Sequence, residues 1–242
     1  MKNIRIYQAG TLAEGKAITL DKAASNHLLR VLRLKNNQIF TLFNGEGGEF
    51  SCRLEISGKS AITHVDSFIQ THKESPLNIH LFQGISKGER MDFAIQKSVE
   101  LGVHSITPVF CARTVVNLKA DRLDKKLQHW QSIAISACEQ SGRNVVPMIN
   151  KPCSLENALQ LNSDSLKIIL EPSSNSSLKN MAPNNNLFSL YIGPEGGFSN
   201  EEIILAKQNN VQGVTLGPRI LRTETAALSA ITAIQLLWGD FR

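Results

Sequence analysis

Two runs in the last quarter of the chain have the residue types to hold a small ligand. Gly193-Pro194-Glu195-Gly196-Gly197 follows the apolar stretch Leu187–Ile192, and Gly217-Pro218-Arg219-Ile220-Leu221-Arg222-Thr223 follows Val214–Leu216. Glycine permits positive φ and lets a ligand approach main-chain atoms closely. Neither run is a phosphate cradle of the P-loop kind, which needs Gly-x-x-x-x-Gly-Lys-Ser/Thr, and neither carries the dinucleotide pattern Gly-x-Gly-x-x-Gly. They offer main-chain donors and acceptors with little bulk, which suits a flat, weakly charged ligand such as an adenine nucleoside. Two tight turns that hold nothing are the plainer reading. A pair of such loops after neighbouring strands favours a ligand, because ligands in α/β sheets bind beyond the carboxyl ends of strands.

The charged residues sort into three groups. Arg222 lies in the second loop, where a guanidinium could stabilise an anion as it forms or hold a phosphate, or could pair with Glu224. Glu195 is a weaker candidate for a base than for a loop carboxylate near a helix N-terminus. Arg5, Arg30, Arg33 and Lys35 are basic candidates whose plainer reading is a solvated face, and Lys87, Arg90, Arg113 and Arg143 could contact RNA phosphates, each also readable as a surface charge. With 26 Lys and Arg against 21 Asp and Glu, the net charge of +5 favours an acidic partner, of which nucleic acid is the commonest. The four cysteines form no C-x-x-C pair and none sits beside a histidine in a zinc-like pattern, so no metal site is expected. None of the six histidines falls in a catalytic dyad. The N-terminal MKNIRIYQAG has no apolar core of a leader, and no run is long enough to span a bilayer. A reducing cytoplasm and no membrane partner are the expectation.

Two patterns of elements must position these residues. Over 1–70, short β-like runs (Arg5–Tyr7, Ala17–Leu20, Gln38–Phe43, Phe50–Ile56, Ala61–Phe68) are separated by turn signals and interrupted by one helix-like stretch, Lys22–Val31. This predicts a small β-barrel with one helix. If the helix extends far enough, Arg30 and Arg33 share a face. Residues 71–76, THKESP, read as a linker. From 77 to 242 strands alternate with helices: Ile79–Ile85, Met91–Leu101, Ser105–Phe110, a long helix from about Asp121 to Gln140, a short one at Leu155–Leu161, a strand at Lys167–Leu170, and the two loop-bearing strands. Alternation of this kind predicts a parallel α/β sheet. Ser199 with Glu202 makes a capping box for the helix after the first loop, and Thr223 suits the cap of the closing helix Thr223–Trp238. That helix is apolar nearly all round, so it should be buried in its own subunit or against a partner.

The runs IGPEGGFS and LGPRILRTETAAL closely resemble the C-terminal signature of the RsmE family, SPOUT-class methyltransferases. The resemblance continues through QGISKGERMDFAIQKSVELGV (Gln83–Val103), SACEQSGRNVVP (Ser136–Pro147), HLLRVLRLK and RIYQ, nearly the whole chain. Related sequences usually carry Gly-Asp where this chain has Asn36-Asn37, a turn that asparagine can still make. The resemblance implies an N-terminal PUA-like RNA-binding barrel, with Arg5, Arg30, Arg33 and Lys35 as its RNA contacts, and a trefoil-knotted α/β domain. It implies S-adenosylmethionine as cofactor, bound by Leu170, Glu171, Ile192, Gly193, Pro194, Glu195, Gly196, Leu216, Gly217, Ile220, Leu221, Thr223 and Ala226. It further implies methylation at N3 of a uridine in 16S ribosomal RNA, on the small subunit, by a homodimer, with Arg222 the catalytic candidate. A non-catalytic RNA-binding module on the same scaffold and a transfer-RNA methyltransferase are the competing readings; intact glycine loops favour the enzyme.

Overall fold

The computed structural model describes residues 4–116 and 120–242, with the side chains of Ala120 and Asp121 also outside the description. Met1–Asn3 of the stretch read for a leader therefore lie outside it. The chain forms two compact units: 1–74 with 138–146, and 75–137 with 147–242.

The first unit is built on β1 (Arg5–Tyr7), β2 (Ala17–Thr19), β3 (Ile39–Phe43), β4 (Glu49–Ser57) and β5 (Ser60–Ile69), in the order β1-β3-β4-β5-β2. The β1–β3 pair is parallel and the others antiparallel. A register shift at Ser51/Cys52 marks a bulge, which increases local twist and curls the sheet. Its inward face buries Ile6, Phe40, Leu42, Leu54 and Val65 against Ala24 and Leu28 of the helical stretch. That stretch is not one helix. A short α1 (Lys22–Asn26), capped by the Asp21 side chain on the Ala24 N–H, passes into a π-helical turn, His27–Val31. Asn37 adopts φ 63°, and the Asn36 carboxamide oxygen accepts from the Ile56 N–H at 2.8 Å, so the Asn-Asn turn is kept.

Polar contacts tie residues 138–146 to this unit. The Glu139 carboxylate accepts from the Tyr7 N–H at 3.0 Å, Arg143 pairs with Glu74 at 2.6 Å, and Asn144 bonds Glu74 and Thr71. Burial holds the Glu139 carboxyl above the usual carboxylate range.

The second unit is a parallel sheet of β6 (Asn78–Gly84), β7 (Ser105–Phe110), β8 (Met148–Ile149), β10 (Leu166–Leu170), β11 (Leu187–Ile192) and β12 (Gln212–Val214) in the order β12-β10-β11-β6-β7-β8, with β9 (Cys153–Ser154) also on β7. Helices α2 (Glu89–Glu100), α3 (Ala120–Ser141), α4 (Leu155–Leu159), α5 (Asn200–Gln208) and α6 (Thr223–Trp238) alternate with the strands. The central strands are buried on both faces, as parallel strands with flanking helices must be: Ile79, Leu81 and Phe82 on β6, Phe188, Leu190 and Tyr191 on β11. Gly102, at φ 87°, ends α2 as the residue after its C-cap. On α6, Ala227, Ala230, Ile231 and Ile234 are buried, while Leu236 and Leu237 are 59% and 41% exposed. The apolar surface of α6 is thus only partly covered within this chain.

Candidate cofactor cleft

Three strands, β10, β11 and β12, end side by side, and the loops that leave them enclose a cleft of about 720 Å³. Every residue expected at the cofactor lines it except Gly217, which turns at φ 90° in the second loop. The first loop owes its shape to two features. Gly197, at φ 68°, makes the turn, with its N–H donating to the Pro194 carbonyl at 2.9 Å. The capping box then starts α5: Ser199 Oγ accepts from the Glu202 N–H, and Glu202 accepts from the Ser199 N–H. Gly196 does not sit at positive φ. A side chain there would meet Arg113 Cβ at 2.9 Å, so the constraint is close packing.

Neighbouring segments hold this loop from three directions. Arg113 Nη1 donates to the Gly196 carbonyl at 2.9 Å, the Lys87 N–H donates to Glu195 at 2.9 Å, and the Thr223 hydroxyl donates to the Gly193 carbonyl at 2.6 Å. Burial raises the Glu195 carboxyl, but the Lys87 N–H, a main-chain N–H of its own and then Arg90 outweigh it and hold it below the usual range. A carboxylate fixed as an ion in this way serves as a tether and is a poor proton acceptor. Thr223 is also a correction: it is the first residue of α6, and Arg222 takes the N-cap position without a side-chain cap bond.

The lining is apolar where Leu170, Ile192, Leu216, Ile220, Leu221 and Ala226 meet, with Glu171 and Ser173 adding polar groups at 3.0 Å from one another. An apolar slot with a few convergent polar groups fits a flat ring carrying a hydroxylated sugar. Sequence reasoning missed Arg219, Ser173 and Thr215, and took Arg113 for an RNA contact, although all four line the cleft. Proximity to the glycine loops was the available signal for Arg219 and Thr215; nothing local marks Ser173 or Arg113. Arg222 is exposed, does not line the cleft and makes no ion pair with Glu224 among the described residues.

The basic candidates separate. Arg30, Arg33, Lys35, Lys87 and Arg90 are exposed. Arg33 lies past the π-helical turn at φ 54°, so it shares no helix face with Arg30. Arg5 and Arg143 are corrections. Arg5 is 8% exposed, pairs with Glu49 and donates to Asn144 Oδ1 and the Arg143 carbonyl. Arg143 is 6% exposed and bonds Glu74. Each is spent on a carboxylate inside the first unit, because a buried guanidinium needs a paired charge. Burial pushes the Cys52 and Cys138 thiols up to about 11 and about 12, which leaves them inert. No group of three or more metal-ligating side chains occurs among the described residues.

Residues 73–235 match the family described as an RNA methyltransferase domain, and residues 20–65 match an RNA methyltransferase PUA domain. The chain is 38% identical to the ribosomal RNA small subunit methyltransferase E of Buchnera aphidicola, over 98% of this chain and 95% of that one. It is 32% identical to the Bacillus subtilis protein of that name, over 95% of each. Among solved structures, a putative methyltransferase from Legionella pneumophila in complex with S-adenosylmethionine aligns with a TM-score of 0.97 at 40% identity, covering both chains fully. The Neisseria gonorrhoeae ribosomal RNA small subunit methyltransferase E, bound to S-adenosylmethionine, aligns with a TM-score of 0.93 at 42% identity, over 99% of this chain and all of that one. A cleft at the carboxyl ends of parallel strands and likeness along the whole chain thus agree, and the chain belongs to the ribosomal RNA small subunit methyltransferase E family, RNA methyltransferases of SPOUT type with an N-terminal PUA-like domain.

Proposed function

We propose that the cleft holds S-adenosylmethionine and that the protein transfers its methyl group to N3 of a uridine in 16S ribosomal RNA. The observation that carries this reading is the cleft itself, walled by both Gly-Pro loops at the ends of β10, β11 and β12. Relatives bound to S-adenosylmethionine support it. Leu170, Ile192, Leu216, Ile220 and Leu221 would sandwich the adenine, and Glu171 with Ser173 would take the ribose hydroxyls.

The bound cofactor supplies an electrophilic methyl group on a sulfonium. The protein's task is to place the uracil in line with it, which is catalysis by positioning. N3 of uracil carries a proton, and its loss leaves a ring anion that needs a positive partner. Arg222 is that partner in our reading: it stands at the start of α6 beside the cleft residues Leu221 and Thr223, and no carboxylate among the described residues engages it. An always-charged guanidinium cannot be the base at neutral pH, so its role is to stabilise charge. Lys87, Arg30, Arg33 and Lys35 are exposed cations that this reading assigns to RNA phosphates, with Arg90, which pairs with Glu195 at 3.4 Å, beside them.

The substrate in this reading is the small ribosomal subunit in the cytoplasm, the chain carries the family's trefoil crossing, and the protein works as a two-fold homodimer that covers Leu236 and Leu237 of α6. Among the described residues no helix is long and apolar enough to cross a membrane. The test is primer extension on 16S ribosomal RNA from cells with and without the protein, since N3-methylation blocks base pairing. A stop that persists without the protein would refute the substrate. Light scattering at micromolar concentration that reads a monomer would refute the dimer.

A further inference from the structure

Gln83 is out of place in its strand. It is fully buried at the end of β6, between Phe82 and Gly84, in a run where neighbouring side chains are apolar. It does not line the cofactor cleft. Its amide nitrogen donates twice, to the Gly84 carbonyl at 3.1 Å and to the Thr223 hydroxyl oxygen at 2.9 Å. Its amide oxygen is buried with no partner.

This arrangement fixes every proton. The Thr223 hydroxyl stands 2.6 Å from the Gly193 carbonyl, which can only accept, so the hydroxyl donates there. The hydroxyl oxygen is then an acceptor towards Gln83. Reversing the Gln83 amide would set its oxygen against the Gly84 carbonyl, two acceptors face to face. Only the nitrogen serves both neighbours, at the cost of an orphaned oxygen. An apolar residue would fill the space without that cost, so filling the core does not explain a glutamine here. Its two donors do.

The chain of bonds runs from β6 through the first turn of α6 to the carbonyl that opens the first glycine loop. Gln83 also pairs in register with Ile192, the last residue of β11. The elements that meet at the cleft floor are therefore clasped by one buried amide and one hydroxyl.

We propose that Gln83 is a positioning residue for methyl transfer: from outside the cleft it orients the Thr223 hydroxyl, which holds the Gly193 carbonyl and with it the cofactor loop 193–197. This rests on the reading of the cleft as the S-adenosylmethionine site. Gln83→Met keeps size and removes both donors. Thr223→Val removes the hydroxyl, and Thr223→Ser keeps it.

The experiment measures S-adenosylmethionine binding by calorimetry and methyl transfer kinetics on the full-length protein. Gln83→Met weakens binding about tenfold, the scale of leaving one buried polar partner unmade. It raises the KM for the cofactor more than it lowers kcat. Thr223→Val loses a similar factor, Thr223→Ser, which keeps the hydroxyl, recovers most of that loss, and Gln83→Met with Thr223→Val binds no worse than either alone, because they break one chain. Tyr191→Phe, which removes the buried bond from the tyrosine hydroxyl to the Ala158 carbonyl, is the stability control: it lowers Tm and leaves binding intact. Unchanged binding in Gln83→Met, additive losses in the double variant, or equal weakening in Tyr191→Phe would each overturn the clasp while wild-type binding upholds the cofactor reading. A wild-type protein that binds no S-adenosylmethionine overturns the cofactor reading and the clasp's role together.

Discussion

A Cβ built on Gly84 would stand 2.4 Å from the Pro194 nitrogen and 2.7 Å from the Gly193 carbonyl carbon. Both are backbone atoms of the first glycine loop, so they can yield only if the loop moves. Overpacking of this kind costs about 1–3 kcal/mol of stability, and where binding must push the loop back it weakens the cofactor by up to roughly a hundredfold. Gly84→Ala should therefore lower both Tm and S-adenosylmethionine affinity; calorimetry that finds the affinity intact would show that the loop tolerates the shift. Arg222 makes a different prediction. It caps α6 without a side-chain bond, so Arg222→Ala removes no structural contact seen among the described residues. Turnover on small-subunit particles should fall by about 10²–10³-fold with cofactor affinity unchanged, as for the loss of one charge-stabilising donor. Arg222→Lys should recover part of the rate, because one ammonium does not reproduce the planar fork. If Arg222→Ala turns over normally, the role passes to Arg219, which lines the cleft. Arg143, read from sequence as an RNA-phosphate contact, does not take it over, since it is buried against Glu74. The glycine loops could be read from local sequence because turns depend on local backbone freedom. The fates of Arg5 and Arg143 could not, because their carboxylate partners lie 44 and 69 residues away.

Elements whose limits are set by their own residues were legible in the same way. Leu187–Ile192 and Thr223–Trp238 carry strong apolar patterns that stop at Gly193 and Gly239, Ser105–Phe110 is a short apolar run, and the structure has those bounds. The helical stretch after β2 was not: its apolar pattern does not distinguish an α-helix from the π-helical turn that takes over at His27, where Leu28 enters the first unit's core. Strand β6 carries a polar element that no motif announced. His80 Nε2 stands 2.7 Å from Thr107 Oγ1 on β7, its Nδ1 stands 2.7 Å from the Asn162 amide nitrogen, and its ring stacks on Phe82 at 4.0 Å. Burial, and then the nearby His104, push its pKa from 6.5 down to about 4. In the fold His80 is neutral over a range where the unfolded chain would protonate it. Its contribution is complete above the unfolded value of 6.5 and is lost as pH falls towards about 4. Stability should drop across that window by on the order of 2–3 kcal/mol from this residue. Urea midpoints between pH 7.5 and 4.5 should show the slope in the wild type and a shallower one in His80→Gln. Equal slopes in both would place the acid sensitivity elsewhere.

At the scale of the molecule, each unit presents its own chemistry. The first exposes Arg30, Arg33 and Lys35, and binding of ribosomal RNA through them should weaken steeply with salt. Arg30→Ala with Arg33→Ala should reduce the salt slope by about one unit per arginine and leave cofactor affinity alone; an unchanged slope would move the RNA surface off this unit. The second unit contains the whole cofactor cleft, every lining residue falling within 75–137 or 147–242. Yet the division does not follow the order of the chain, because 138–146 belong with the first unit. A protein cut to begin at Ser75 should therefore still bind S-adenosylmethionine. It would lack the Tyr7 N–H that bonds Glu139 at 3.0 Å, and the Glu74 carboxylate that bonds Arg143 at 2.6 Å and the Asn144 N–H at 3.0 Å. Buried charges that lose their partners go to water, so 138–146 should open locally and exchange amide hydrogens faster than in the whole protein. The cut should leave exchange in β6, β10 and β11 slow, since their ladders lie wholly within 75–242. Cofactor binding lost by a cut chain whose sheet remains protected would mean that the first unit completes the site. Equal protection of 138–146 in the cut and whole proteins would mean that the polar contacts to Tyr7 and Glu74 do not hold this segment.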